Sequence, residues 1–157
     1  MQGRTRDAEL FTRHWGRATI TTPQEEISFF SGHLNPHKQE IRMREIDEML
    51  AVMGPALQAG GSVLFHGDLN HRPDTPEYKR WIDAGLIDSF GQKGVGQPNT
   101  ASSVNPRGRI DYVWVAGPLA KRLQECRVLY EGAFRTYTDD STSFALSDHL
   151  PVMADFA

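Results

Sequence analysis

The sequence predicts an α/β fold, and three observations predict it. Short β-rich segments alternate with segments of helical period along most of the chain. One segment, SVLFH at residues 62–66, is a nearly continuous apolar run, the pattern of a strand buried on both faces of a sheet. The composition is that of a globular domain, 39% hydrophobic and 24% charged, which excludes disorder, collagen and coiled coil. At 157 residues and 17.6 kDa the chain fits one domain, or part of a larger one, and not two.

The elements follow in order. Residues 1–14 mix charges without a period and read as a disordered lead-in. RATIT at 17–21 and EISFFS at 26–31 are β-rich and separated by Thr22-Pro23, so they read as a hairpin. Residues 39–53 place Ile46, Met49, Leu50 and Met53 at helical spacing, with Glu40/Arg44 and Arg44/Glu48 pairs; Gly54-Pro55 is expected to end this helix. After the 62–66 strand, residues 75–84 read as a second helix stopped by Gly85. Residues 91–108, with Gly91, Gly94, Gly96, Gly108, Pro98 and Pro106, read as one long loop, a kind that is usually functional. Strands resume at 110–115, 127–130 and 151–156.

Charge and cysteine usage narrow the function classes. A net charge of −3 and a pI near 6.0 give no global attraction for nucleic acid, which leaves only a local basic groove. The single cysteine, Cys126, excludes an internal disulfide and a cysteine-based zinc site, and reads as a half-buried strand thiol. No apolar run approaches the ~20 residues of a membrane span. Residues 1–6 are polar, without the apolar stretch of a secretory signal, so localisation is unassigned and cytoplasmic by default.

Four clusters carry candidate chemistry: Ser31-Gly32-His33-Leu34, Gly67-Asp68-Leu69-Asn70, Arg109-Ile110-Asp111-Tyr112 and Ser147-Asp148-His149-Leu150. Each lies at or beside the end of an expected strand, where open sheets bind ligands. Singly, a Gly-Asp turn or an Asp-His pair is ordinary turn and cap chemistry. Three aspartates, two histidines and an asparagine make a set, and its carboxylate and amide oxygens are hard donors suited to Mg²⁺ or Mn²⁺. His14, His37, His66 and His71 read as surface or loop histidines, with His71, beside Asn70, the candidate exception. Arg109 reads either as a phosphate contact or as the partner of a carboxylate that holds its strand.

GDLN at 67–70, RIDYVWV at 109–115 and SDHLPV at 147–152, in this order, resemble the endonuclease/exonuclease/phosphatase superfamily, the deoxyribonuclease-I-like metal-dependent phosphodiesterases. FFSGHLN at 29–35 resembles that family's Asn-Thr-His-Leu strand end, with Ser-Gly standing in for Asn-Thr. The resemblance runs from about residue 15 to residue 156. It implies that His149 activates the attacking water and that Asp111 orients His149. It implies further that Asp68 and Asn70 position the water and contact metal or phosphate, that Asp148 is a metal-associated acid, and that His33 steadies the phosphoryl oxygens. The implied cofactor is Mg²⁺ or Mn²⁺, held by Asp68, Asn70 and Asp148; His33, Asn70 and Arg109 are the implied substrate contacts.

The sequence departs from the family in one respect. Complete members carry, ahead of the His-Leu strand, a half-domain with an early Asn and a metal-ligating Glu. Here about 25 residues precede that strand, and Glu25 and Glu26 lie in the hairpin turn. The resemblance therefore implies the C-terminal portion of a four-layer α/β/β/α sandwich, incomplete at the N-terminus. The implied function is a phosphoesterase acting on a phosphodiester or phosphomonoester. Nucleic acid, a lipid headgroup and a small metabolite stay open as substrates. The alternative is a catalytically silent half-domain for binding or assembly. The open sheet face expected of a half-domain calls for a second copy or for the missing half as partner.

Overall fold

The computed structural model describes residues 15–157, so the lead-in expected at 1–14 lies outside the described residues. In chain order the elements are β1 (Trp15–Thr21), β2 (Glu26–His33), α1 (Gln39–Gln58), β3 (Ser62–Asp68), α2 (Pro76–Asp83), β4 (Ile87–Asp88), α3 (Ser89–Lys93), β5 (Gly94–Val95), β6 (Asp111–Ala116), α4 (Gly117–Lys121), β7 (Leu123–Val128) and β8 (Val152–Phe156). The fold is α/β with two mixed sheets. One sheet has five strands in the order β1-β2-β3-β6-β4, and the other has three in the order β5-β7-β8.

The expected hairpin forms. Thr22 N–H donates to the Glu25 carbonyl at 2.9 Å, and the Thr22 hydroxyl accepts the Glu25 N–H at 3.0 Å, which closes the turn between β1 and β2. The Glu25 side chain is bound by Ser62 and Arg122, at the strand ends remote from the candidate residues. The second helix also forms as read. Thr75 caps α2, with Pro76 in its first turn, and Gly85 terminates it at φ +88°.

α1 departs from expectation by running through Gly54-Pro55. A proline in a helix forfeits one hydrogen bond, and Pro55 is on the exposed side, so water can serve the freed carbonyl. The helix ends instead at Gly60, whose φ of +67° is the left-handed conformation that an L side chain resists. Gly60 N–H bonds the Leu57 carbonyl and Gly61 N–H bonds the Ala56 carbonyl, both at 3.0 Å. That pair is a Schellman closure.

The 91–108 stretch is also more ordered than a loop. α3 and β5 take its first part, which leaves residues 96–108 irregular. β7 begins four residues before the expected strand, at Leu123, and the short α4 carried no sequence signal strong enough to register.

Strand alternation divides the five-stranded sheet into two unlike faces. Phe30, Val63, Phe65, Tyr112 and Trp114 face α1 and α2, where they pack with Ile46, Met49, Met53 and Trp81 as the main core. On the opposite face Ile27, Val115, Leu119 and Leu123 form a smaller core with Leu64, Val113, Ala154 and Phe156, the last two from β8. Leu64 and His66 are only half-buried, so the 62–66 strand is not covered on both faces as its apolar run suggested. Cys126, by contrast, is fully buried in β7 rather than half-buried, and burial pushes its thiol up to about 11.

Candidate active site

Three of the candidate residues lie in one row across the sheet. His33 of β2 is the register partner of Asp68 of β3, and Asp68 is the register partner of Asp111 of β6. All three project from the face opposite α1 and α2, at the strand ends. The preceding row explains how the backbones come so close. A Cβ on Gly67 would lie 1.8 Å from the Gly32 carbonyl oxygen, so only glycine fits there, at φ +148°.

His149 reaches the row from the segment before β8. Its Nδ1 lies 2.9 Å from Oδ2 and 3.1 Å from Oδ1 of Asp111, and 3.9 Å from Oδ2 of Asp68. His33 Nε2 lies 3.3 Å from the same Asp68 oxygen. Asn70 takes a left-handed turn at φ 51°, which asparagine tolerates. Its main-chain N–H donates to Asp68 Oδ1 at 3.0 Å, and its side-chain Nδ2 donates to the Leu34 carbonyl at 2.9 Å. The Asn70 side-chain oxygen is thus the end available to a cation or a water.

His33, Asp68, Asn70, Asp111, Asp148 and His149, with Pro36 and Ser147, line one pocket of about 450 Å³. Within it Asp68, Asp111 and His149 form the tight group, with one ligand atom from each all within 4.8 Å of one another. Among the described residues no glutamate joins them. Asp148 is exposed on the pocket wall and stands outside that group.

The electrostatics follow from crowding. Burial and the Asp111 carboxylate push the Asp68 carboxyl above its ordinary range, against the Asn70 N–H and the two histidines. For His149, burial acts downward, but the hydrogen bond and charge of Asp111, with Asp68 and Asp148, outweigh it and raise the pKa. A negative, partly desolvated pocket built of hard oxygens is a setting a divalent cation relieves. Asp68, Asp111 and His149 are thus a group that could hold a metal ion.

Arg109 is not brought to this pocket. Its guanidinium is buried, 2.6 Å from Asp88 Oδ2, and stacks over Phe90 and Tyr112. Of its two sequence readings, the carboxylate partner is the one the structure adopts, and the phosphate contact is corrected. His71 is corrected too: it lies 3% exposed in the core, where Nε2 accepts the Trp81 indole N–H at 3.2 Å and the ring stacks on Tyr112. Motif reading missed Thr100, Ser103 and Arg135, which hold the loops around His149 through main-chain partners. Such partners leave no pattern of residue types, so no motif marks these three.

The same architecture recurs in solved structures. The mannosyl-6-phosphatase Bt3783 of Bacteroides thetaiotaomicron superposes with a TM-score of 0.71 at 19% identity, over 91% of this chain and 55% of that one. An endonuclease/exonuclease/phosphatase family protein from Leptotrichia buccalis gives 0.67 at 19% identity, over 91% and 52%. TDP2 of D. rerio, crystallised with a single-strand DNA product, gives 0.64 at 17% identity, over 92% and 62%. The chain thus spans little more than half the length of the structures it matches. No curated protein matches it. The profile of one sequence family matches residues 3–149, and by that match the chain belongs to the Endonuclease/Exonuclease/phosphatase family.

Proposed function

We infer that the chain carries the general-base side of a metal-dependent phosphoesterase site. The observation that carries this reading is the His149–Asp111 pair, with Nδ1 2.9 Å from the carboxylate, set beside Asp68 in an acidic pocket. A carboxylate at Nδ1 fixes the tautomer and leaves Nε2 to take a proton from a water. The raised pKa of His149 makes it the stronger base once deprotonated. The water oxygen attacks phosphorus as its proton passes to Nε2, and the P–O bond to the leaving group breaks. Asp68, the Asn70 side-chain oxygen and Asp148 are the residues to hold Mg²⁺ or Mn²⁺, which when bound neutralises charge on the phosphoryl oxygens. His33, on the rim and tied to Asp68, adds positive charge at those oxygens when protonated.

The substrate is a phosphate ester. The acidic balance of the chain disfavours unspecific nucleic-acid binding, and Arg109, spent on Asp88, supplies no phosphate contact. Bis-p-nitrophenyl phosphate and p-nitrophenyl phosphate separate diester from monoester chemistry. The chain should hydrolyse one of them slowly with Mg²⁺ or Mn²⁺ and not in EDTA. His149→Ala should lower the rate by roughly 10²–10⁴, the usual range for positioned acid–base catalysis. An H149A variant with wild-type turnover removes the histidine from the mechanism.

A second reading, a catalytically silent half-domain that binds or assembles, has one observation in its favour: no glutamate joins the acidic group among the described residues. Hydrolysis no faster than the protein-free rate, with either metal, selects that reading.

A further inference from the structure

We propose that Thr100 is the positioning residue that sets the distance between Asp111 and His149; this rests on the functional reading above. The pair joins two segments far apart in sequence, and each member sits where regular pairing gives out. Asp111 is the first residue of β6, opposite the last residue of β3. His149 precedes β8 by three residues. The β3–β6 ladder sets where Asp111 lies but does not reach His149, so no ladder sets the separation of the two.

Thr100 touches both segments and is fully buried. Its hydroxyl oxygen accepts the main-chain N–H of Asp111 and of Ile110, both at 3.3 Å. Its main-chain carbonyl accepts the N–H of Leu150, the residue after His149, at 2.9 Å. Its own N–H donates to the Gly108 carbonyl at 2.8 Å, which ties it back to the loop that leads into Asp111. The next residue, Ala101, bridges to both Gly108 and His149. One residue therefore holds the backbone of the acid and the backbone next to the base, its side chain serving one and its main chain the other. Removing the hydroxyl leaves two partly buried N–H groups without their acceptor, and the Asp111 end must shift to find another.

The test reads the pair itself as well as turnover. In the full chain, the proton between His149 Nδ1 and Asp111 should give a strongly downfield proton resonance, to be assigned by its absence from His149→Gln. Thr100→Val keeps the shape and removes the acceptor; Thr100→Ser keeps the hydroxyl. The resonance should survive in T100S and be lost or broadened in T100V. In the hydrolysis assay T100V should lower kcat by about 10–100-fold with KM within about threefold, as a sub-ångström to 1 Å misplacement does. Should T100V not fold, the pair T100S and Thr100→Ala carries the test, with the resonance expected only in T100S. A resonance unchanged in T100V, or equal in T100S and T100A, overturns the proposal. A wild-type chain that shows the resonance, loses it in T100V and hydrolyses nothing supports the positioning role and overturns the catalytic reading instead.

Discussion

His71 is adjacent to a candidate ligand, Asn70, yet behaves as a core residue. Burial lowers its pKa from 6.5 to about 4. The folded chain therefore holds it neutral while the unfolded chain takes up a proton from pH 6.5 downward. Its contribution to stability is fully present above pH 6.5 and is lost as pH falls toward 4; across that window it amounts to roughly 3 kcal/mol. In urea titrations between pH 7 and 4, His71→Gln should be less stable at pH 7 and should show a shallower loss on acidification. An unchanged slope would show that His71 is not the titrating group. The Asp and His residues of the pocket were legible in the sequence because short runs place them at strand ends, and strand register alone then aligns His33, Asp68 and Asp111. Arg109 and His71 were not, because the fate of a polar side chain depends on what packs around it. Asp88, which takes the Arg109 guanidinium, comes 21 residues earlier in the chain.

At the scale of elements, α1 is the informative error. Gly54-Pro55 has the composition of a helix end, but the end is decided by the residue that can turn left-handed, and that is Gly60. A Cβ at Gly54 meets nothing within 4 Å, and its φ is not positive, so the helix has room for alanine there. Gly54→Ala should raise stability by about 0.5–1 kcal/mol, the helical cost of glycine. Gly60→Ala should lower it by about 1–2 kcal/mol, the cost of left-handed backbone for an L residue. Thermal melts of the two variants check the signs, and a destabilised G54A would place the helix end back at Pro55. Helix and strand existence was thus readable from periodicity, whereas the boundaries depended on closing hydrogen bonds between residues of no distinctive type.

For the whole molecule, the telling feature is the face of the large sheet turned away from α1 and α2. The three-stranded sheet packs on it through Ala154 and Phe156 of β8. Toward the active site a cleft of about 420 Å³ remains between the sheets, lined by Phe29, Leu64, Val113, Leu150 and Phe156 among others. Ile20 of β1, the register partner of Ile27 on this face, is 40% exposed. At ~25 cal/mol per Å², a few hundred Å² of such surface is worth several kcal/mol, comparable to the stability of a domain. The isolated 157-residue chain should therefore melt at a temperature that climbs with protein concentration, as copies cover the face, and should scatter light above its monomer mass. A concentration-independent melt and a monomeric mass would show that the cleft is tolerated uncovered.

β1 has a partner on one side only among the described residues, and its register decides which of its amides water can reach. The Thr22–Glu25 bond that closes the hairpin sets the phase of the antiparallel ladder. Counting back by twos, Ile20, Ala18 and Gly16 direct their N–H groups at Ile27, Phe29 and Ser31. Thr21, Thr19 and Arg17 direct theirs outward, to solvent or to whatever strand arrives. Deuterium uptake resolved by residue should therefore alternate along β1, fast at the outward positions and slow at the inward ones. If another strand docks along this edge, the fast set alone should slow, so a difference in exchange between free and bound chain would identify the edge through Arg17, Thr19 and Thr21.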